Sequence, residues 1–525
     1  MHSEIWFCAM AMALVGGVLP VNTSLDNERR FYIFDWPREL TSSWPEPNTT
    51  LIPHAGRMAR PLGYKHEDGT NYGAGKLLNE SIGLFSTNYF HLYHIIMSRL
   101  RVHPKRTYNR SEATMFVVPF DAGIAAQWNK RNGQYRMHQL SGGEDVVLQL
   151  TELFRNDVQH TPLFGHDVLM INSLFNLFNG NISKLFFECA NCTVINHDTN
   201  RAYDNYHYTF AKRNMVQLAS AQFGVPYMSA VHWHDNVTDI LWRPGQDRPV
   251  LVAYWASLSV QHKLASTLRK KLAENCEDRS DVCVCVHVTS RHAEPCYSKD
   301  AVNCHTDHPV QNASLPQSLG VVGLDLYRIS QYCLQPPGDM DGRKALSDSI
   351  LFGCIPVYFH AHLLSEKYAW FFSLDMERKA ALYIPWQDIV QSTFNAVDYI
   401  ASIPPEVTKS KQKALAKLAE TFVYSVPPQS LQEYIGFGGA PGVKEGAVWA
   451  PPFKDAVDVI VDSTFERIER YAIIYILRIA GLIYILLNSL FRFKKTGFIP
   501  PHEQISSQSK NDLIWKQQLD LESFT

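Results

Sequence analysis

YCLQPPGDMDGRKALSDSILFGCIPVYF, residues Tyr332–Phe359, is the stretch from which the fold is read. Tyr332-Cys333-Leu334 is a short apolar run, and Gln335–Asp341 is a loop punctuated by Pro336, Pro337 and Gly338. From Gly342 to Phe352 the apolar residues Ala345, Leu346, Ile350 and Leu351 recur at helical spacing. Gly353 stands where a helix ends, and Cys354–Phe359 is a β-branched and aromatic run. Strand, Gly/Pro loop, helix and strand in that order make one βαβ unit of a parallel sheet.

The loop of such a unit suits a phosphate. A helix N-terminus offers unpaired N–H groups and partial positive charge, and Gly338 allows close backbone approach. Arg343 adds a planar cation, and Asp348 a carboxylate for sugar hydroxyls, so a nucleoside diphosphate at the carboxyl end of the sheet is the expected ligand. The plainer reading of the same residues is an ordinary crossover with a surface Arg and a capping Asp. Asp339 and Asp341 have the D-x-D spacing of a metal site, but they sit in a Pro/Gly loop where turn-forming Asp is common.

The chain has 525 residues, 46% of them hydrophobic, enough for two or three domains with sizeable cores. A net charge of −2 removes any bulk electrostatic case for nucleic acid. Ile5–Leu19 is an apolar run ending at Pro20, which reads as a cleaved signal peptide over 1–20 or, second, as a signal anchor. Eight Asn-X-Ser/Thr triplets open at Asn22, Asn48, Asn79, Asn109, Asn181, Asn191, Asn236 and Asn312. Chance would give about three. A lumenal body in the Golgi or ER is therefore expected, and disulfides suit that compartment better than zinc. Cys189 and Cys192 form a close pair, Cys276, Cys283, Cys285, Cys296 and Cys304 crowd together, and Cys354 reads as a free buried thiol.

Strand and helix signals alternate along both halves, so the fold class is α/β. The first block, about 25–245, includes Phe31–Phe34, Met115–Phe120, Val168–Ile171 and Val194-Ile195 as strands. A polar Pro/Gly linker, Arg243–Pro249, leads to a second block over 246–430, with Val250–Tyr254 and Val282–Val288 as strands and Val260–Asn275 as a basic helix.

On these residues the chain resembles the exostosin family of glycosyltransferases, family 47. Phe31–Pro37 is similar to that family's opening strand, Thr107–Asp121 to its F-V-P-F segment, and Val225–Trp242 with Pro249–Tyr254 to the join between its domains. Cys333–Val357, ending in G-C-I-P-V, is similar to its most recognisable motif. The resemblance covers about Phe31 to Phe422. It implies a GT-B architecture, two Rossmann-like domains facing a cleft, with a UDP-sugar donor held mainly by the second. It further implies inverting transfer to a glycan, with no cofactor and no essential divalent metal.

Inversion needs a base from the first domain. Asp121 is the leading candidate, as it follows a buried strand, although capping the next segment is an equal alternative. His232 and His234, beside Asp235, come next, against a plainer structural role. Lys263 and Arg269 on the basic helix are candidates to neutralise phosphate, with Gly338, Arg343 and Asp348. The family's basic residue near the strand before that helix has no counterpart in Ala253-Tyr254-Trp255-Ala256. A catalytically inactive partner subunit or glycan-binding scaffold is accordingly the alternative function.

After a C-terminal extension over 431–470, Tyr471–Phe491 is almost wholly apolar and is followed by Arg492, Lys494 and Lys495. A transmembrane helix over 471–491 and a cytoplasmic tail over 492–525 are expected, with Arg478 as the objection. The membrane, a nucleotide-sugar donor, a glycan acceptor and related glycosyltransferases in a homo- or hetero-oligomer are the expected partners.

Overall fold

The computed structural model describes residues 29–36, 71–87, 91–120, 151–173, 191–197, 222–258, 260, 263–288, 322–338, 342–434 and 441–496. Asp121, Asp339, Asp341, Cys189 and the N-terminal apolar run lie outside them. Ser24–Ile468 form one compact unit, and Met1–Thr23 with Glu469–Thr525 a second.

The first unit is α/β, built on two parallel sheets of five strands each. The first sheet takes β1 (Phe31–Ile33), β2 (Met115–Val118), β3 (Val168–Asn172), β4 (Thr193–Asn196) and β5 (Gln222–Gly224), in that spatial order. Its inner strands are buried throughout, MFVV in β2 and VLMIN in β3, which is why they read as continuous apolar runs rather than alternating ones. One face packs Leu169, Ile171 and Ile195 into the main core, and the other packs Val168, Met170 and Val194 against Phe34, Trp36, Phe116 and Phe154.

The second sheet contains β6 (Val250–Ser257), β7 (Cys283–Val288), β8 (Ser330–Leu334), β9 (Ile355–Tyr358) and β10 (Leu382–Tyr383). Its order is β7-β6-β8-β9-β10, so the chain reverses direction of travel between β6 and β8. That reversal leaves a crevice at the carboxyl ends of β6 and β8. Around the crevice stand α2 (Lys263–Asp278), α3 (Val322–Ile329) and α4 (Lys344–Leu351), which α1 (Leu92–Arg101) precedes in the first half. The βαβ unit expected at Tyr332–Phe359 is present as β8-α4-β9. Arg343 is the extended N-cap of α4, and Gly353 at φ +73° turns the chain out of it.

A glycine is required at 353 for a second reason: an added Cβ would lie 2.4 Å from Nη2 of Arg248. Arg248 belongs to the segment read as a polar linker, yet its guanidinium is buried. Nη1 donates to the carbonyls of Tyr327, Arg328 and Ser330, and Nη2 to that of Phe352 at 2.7 Å. Burial pulls its pKa down to about 10, which leaves it charged at neutral pH. The stretch between the sheets is thus a packed junction, in which one cation gathers carbonyls that would otherwise be buried unpaired.

One cysteine reading changes, and the expectation of disulfides holds for a second pair. Cys354 is bonded to Cys333 and is not a free thiol. Cys333 pairs with Pro356 across β8 and β9, so Cys354, just ahead of β9, lies within reach with Cα atoms 5.8 Å apart. Cys276 is bonded to Cys283, closing the turn from α2 into β7, and Cys285 is a buried thiol.

The C-terminal helix, α5 (Ala456–Thr496), runs unbroken through the boundary expected at 470/471. Its start is a reciprocal cap. Asp455 Oδ1 accepts from the Asp458 N–H at 3.0 Å, and Asp458 Oδ2 from the Asp455 N–H at 3.2 Å. Arg99 and His103 donate to Asp458, and Lys105 to Asp462, which pins the first turns of α5 to the end of α1. In the second unit Ile473, Tyr475, Leu477 and Leu482 are exposed. No helix among the described residues is long and apolar enough to cross a membrane, so the span expected over 471–491 is not found there. Arg478, a charge that is costly at mid-span, lies within that stretch.

Candidate active site

At the carboxyl ends of β6 and β8 the chain brings together residues from three places. Arg269 comes from α2 and is buried. Its Nε donates to the Pro337 carbonyl at 2.8 Å and its Nη1 to the Ser257 carbonyl at 2.5 Å, so it joins the loops that leave the two strands. Tyr254, on β6, donates its hydroxyl to the Arg269 carbonyl at 2.9 Å and holds the helix in place. Arg343 is only partly buried and spends Nη1 on the Pro336 carbonyl at 2.9 Å. Two guanidiniums therefore brace consecutive residues of one loop, immediately before Gly338.

Gln335 follows β8 directly. Its amide N–H donates to Val357 across the sheet at 2.8 Å, and its Nε2 to the Tyr327 hydroxyl at 3.2 Å. Its Oε1 is buried with no hydrogen-bond partner among the described residues. Burial pushes the Tyr327 hydroxyl up to about 12, with the Arg343 charge opposing the shift. The phenol stays protonated, and the cation stands close enough to be felt. Neither Gln335 nor Tyr327 stands out in the sequence. The one signal is position, since the first residue past a strand at a point of chain reversal faces the crevice.

Of the sequence-derived candidates, Gly338, Arg269 and Arg343 come together here. Lys263 is exposed at the start of α2, and its ammonium group meets no part of the loop among the described residues. Asp348 is turned inward. Its Oδ1 accepts from the Ser229 hydroxyl at 2.7 Å and the Ala230 N–H at 3.0 Å, and Lys344 donates to both of its oxygens. That carboxylate is saturated by protein donors.

His232 is buried with both ring nitrogens engaged. Nδ1 lies 3.0 Å from the Tyr424 carbonyl and Nε2 2.8 Å from Thr87 Oγ1. A carbonyl only accepts, so Nδ1 carries the proton, while Nε2 faces the Thr87 hydroxyl, which also lies 2.8 Å from the Ala74 carbonyl. Burial pulls the pKa of His232 down to about 3. His234 is partly buried, takes the Asn236 N–H on Nδ1 at 3.3 Å, and is shifted downward by burial. Its ring meets the edge of Phe85 at 5.8 Å. Among the described residues no group of three His, Cys, Asp or Glu is placed to hold a metal ion.

A parallel α/β sheet with a reversal-point crevice and a cation-braced Gly/Pro loop is the apparatus of a protein that handles phosphorylated ligands, nucleotide-sugar-dependent transferases among them. The model of the exostosin GT47 domain matches residues 25–398, and the chain belongs to that family of glycosyltransferases.

Its similarity to individual proteins is lower. It is 25% identical over 451 residues to the probable xyloglucan galactosyltransferase GT20 of Arabidopsis thaliana, covering 84% of this chain and 67% of that one. It is 22% identical to xyloglucan-specific galacturonosyltransferase 1 of the same plant, covering 84% of this chain and 57% of that one. Among solved structures, a mutant of S. aureus TarM in complex with UDP superposes with a TM-score of 0.29 at 8% identity, over 54% of this chain and 57% of the other. The trehalose-phosphate synthase of Burkholderia vietnamiensis gives 0.28 at 11%, over 75% and 94%.

Proposed function

We propose that the protein transfers a sugar, with inversion, from a UDP-sugar to a glycan acceptor, and that the two sheets act as the facing halves of a GT-B enzyme. The observation that carries this reading is the bracing of Pro336 and Pro337 by Arg343 and Arg269 at the reversal point of the second sheet. The diphosphate would lie against Gly338 and the N-terminal turn of α4, where N–H groups and the remaining donors of Arg343 meet its oxygens. Cationic side chains and a helix terminus can stabilise a departing diphosphate without a metal ion. The named relatives support a hexose or hexuronate donor and a polysaccharide acceptor.

The acceptor hydroxyl needs a base from the first half, and Asp121 keeps that proposed role. The inward placement of His232 leaves it to fix the floor of the body instead. We place the catalytic body in the secretory lumen, which the sequons and the Cys276–Cys283 and Cys333–Cys354 bonds support. The test is a thermal-shift series with UDP, ADP and GDP, followed by donor hydrolysis with UDP-sugars. Selective stabilisation by UDP is expected. A folded protein that no uridine nucleotide stabilises would refute the reading.

A further inference from the structure

Four of the eight sequon asparagines fall among the described residues, and their side chains divide into two kinds. In Asn79-Glu80-Ser81, Asn79 Oδ1 accepts from the Ser81 N–H at 3.1 Å and from the Ser81 hydroxyl at 2.8 Å. In Asn109-Arg110-Ser111 the same two bonds recur at 3.1 and 2.8 Å, from Ser111 to Asn109 Oδ1, and Asn109 Nδ2 donates within the same exposed turn to Glu112 Oε1 at 3.0 Å. Both serines are exposed, as is Asn109. The other two sequons are built differently. Asn191 donates Nδ2 to the Phe164 carbonyl, Cys192 between is disulfide-bonded, and Thr193 is a buried residue of β4 whose hydroxyl receives Arg467. Asn236 donates Nδ2 to Glu80 at 2.6 Å.

We propose that Asn79 and Asn109 are sites of N-linked glycosylation, preferred over Asn191 and Asn236. This rests on the lumenal placement proposed above. The hydroxyl two residues on is the part of the sequon that the reaction reads. Two donors on Oδ1 draw charge toward the carbonyl and acidify the Nδ2 protons. Nδ2 then attacks C1 of a lipid-linked oligosaccharyl diphosphate supplied by the host transferase. The N–C1 bond forms as the C1–O bond breaks, the lipid diphosphate leaves, and one Nδ2 proton is lost to a base.

These turns span three residues each and need no tertiary contact, so the nascent chain can form them before the sheets assemble. In the folded protein the turn at Asn109 is on the surface, which leaves a glycan in solvent.

The test uses the full chain secreted or retained by a eukaryotic host, deglycosylated with peptide:N-glycosidase in heavy-oxygen water, and mapped by peptide mass. Higher occupancy at Asn79 and Asn109 than at Asn191 and Asn236 is expected. Ser111→Ala should remove the label at Asn109, and Ser111→Thr should keep it. Equal or greater label at Asn191 or Asn236 would overturn the proposal, as would no label at Asn79 and Asn109 in protein whose Cys333–Cys354 bond is intact. A UDP thermal shift on the same preparation reports the transferase reading separately.

Discussion

The carboxylate of Asp348 accepts a hydrogen bond from the Ser229 hydroxyl at 2.7 Å, fastening helix α4 to the segment that leaves the first sheet. Asp348 is 2% exposed, and Lys344 and the Ala230 N–H complete its coordination. Removing it leaves the buried Ala230 N–H and the Ser229 hydroxyl without their acceptor. Asp348→Ala is expected to cost about 1–3 kcal/mol in denaturant unfolding, the range for stranding a buried donor. A variant of unchanged stability but weakened donor binding would show instead that the carboxylate serves the sugar.

Cys333–Cys354 closes a loop that contains the whole of Gln335–Gly353, the segment braced by Arg269 and Arg343 included. A loop of this size gives about 3 kcal/mol by restricting the unfolded chain. Cys354→Ser should therefore lower unfolding stability by about that amount and, because both sulfurs are buried, mild reductant should act slowly on the native protein. Rapid reduction without loss of stability would remove the bond from any role in holding the loop.

The sequence makes the β8-α4-β9 unit legible because each of its parts is local: an apolar run, a Pro/Gly loop, helical spacing and a terminating Gly353. It leaves the partners across space unread. Helical spacing puts Asp348 on a face but does not say that Ser229 stands opposite. Cys333 and Cys354 look unrelated until the strands that carry them are known to be neighbours. Arg248 reads as part of a polar linker because composition cannot show that five carbonyls converge on it. The family motif points to the loop that Arg269 and Arg343 brace, while Gln335 and Tyr327 have no charge or spacing to betray them.

His232 gives the body a pH dependence whose sign is fixed. Burial pulls its pKa to about 3, with the Lys344 charge acting the same way and the Tyr424 carbonyl opposing. The folded pKa is below the unfolded value of about 6.5, so the unfolded chain binds the proton more tightly. The stabilisation is fully present above about pH 6.5 and is lost as pH falls toward 3, at up to about 1.4 kcal/mol per unit. Between pH 6.5 and 4.5 the wild type should lose roughly 2–3 kcal/mol more than His232→Gln. Parallel pH profiles for the two proteins would show that the ring is not held neutral.

Arg269 and Arg343 brace adjacent carbonyls of one loop, yet their substitutions should read out differently. Arg269 is 3% exposed and tied to both Ser257 and Pro337, so Arg269→Ala takes the donor from the buried Pro337 carbonyl and should lower stability by about 1–3 kcal/mol. Arg343 gives only one bond to Pro336 and is less buried, which leaves its other donors for phosphate oxygens. Arg343→Ala should leave stability within about 1 kcal/mol while weakening UDP about 10- to 100-fold, the loss of 1.5–3 kcal/mol that a charge-assisted bond carries. Arg343→Lys keeps the charge but not the fork, and should restore only part of the affinity. Calorimetric titration of UDP into the three variants decides the assignment, because unchanged affinity in Arg343→Ala would take that residue out of the site and leave the loop without its phosphate contact.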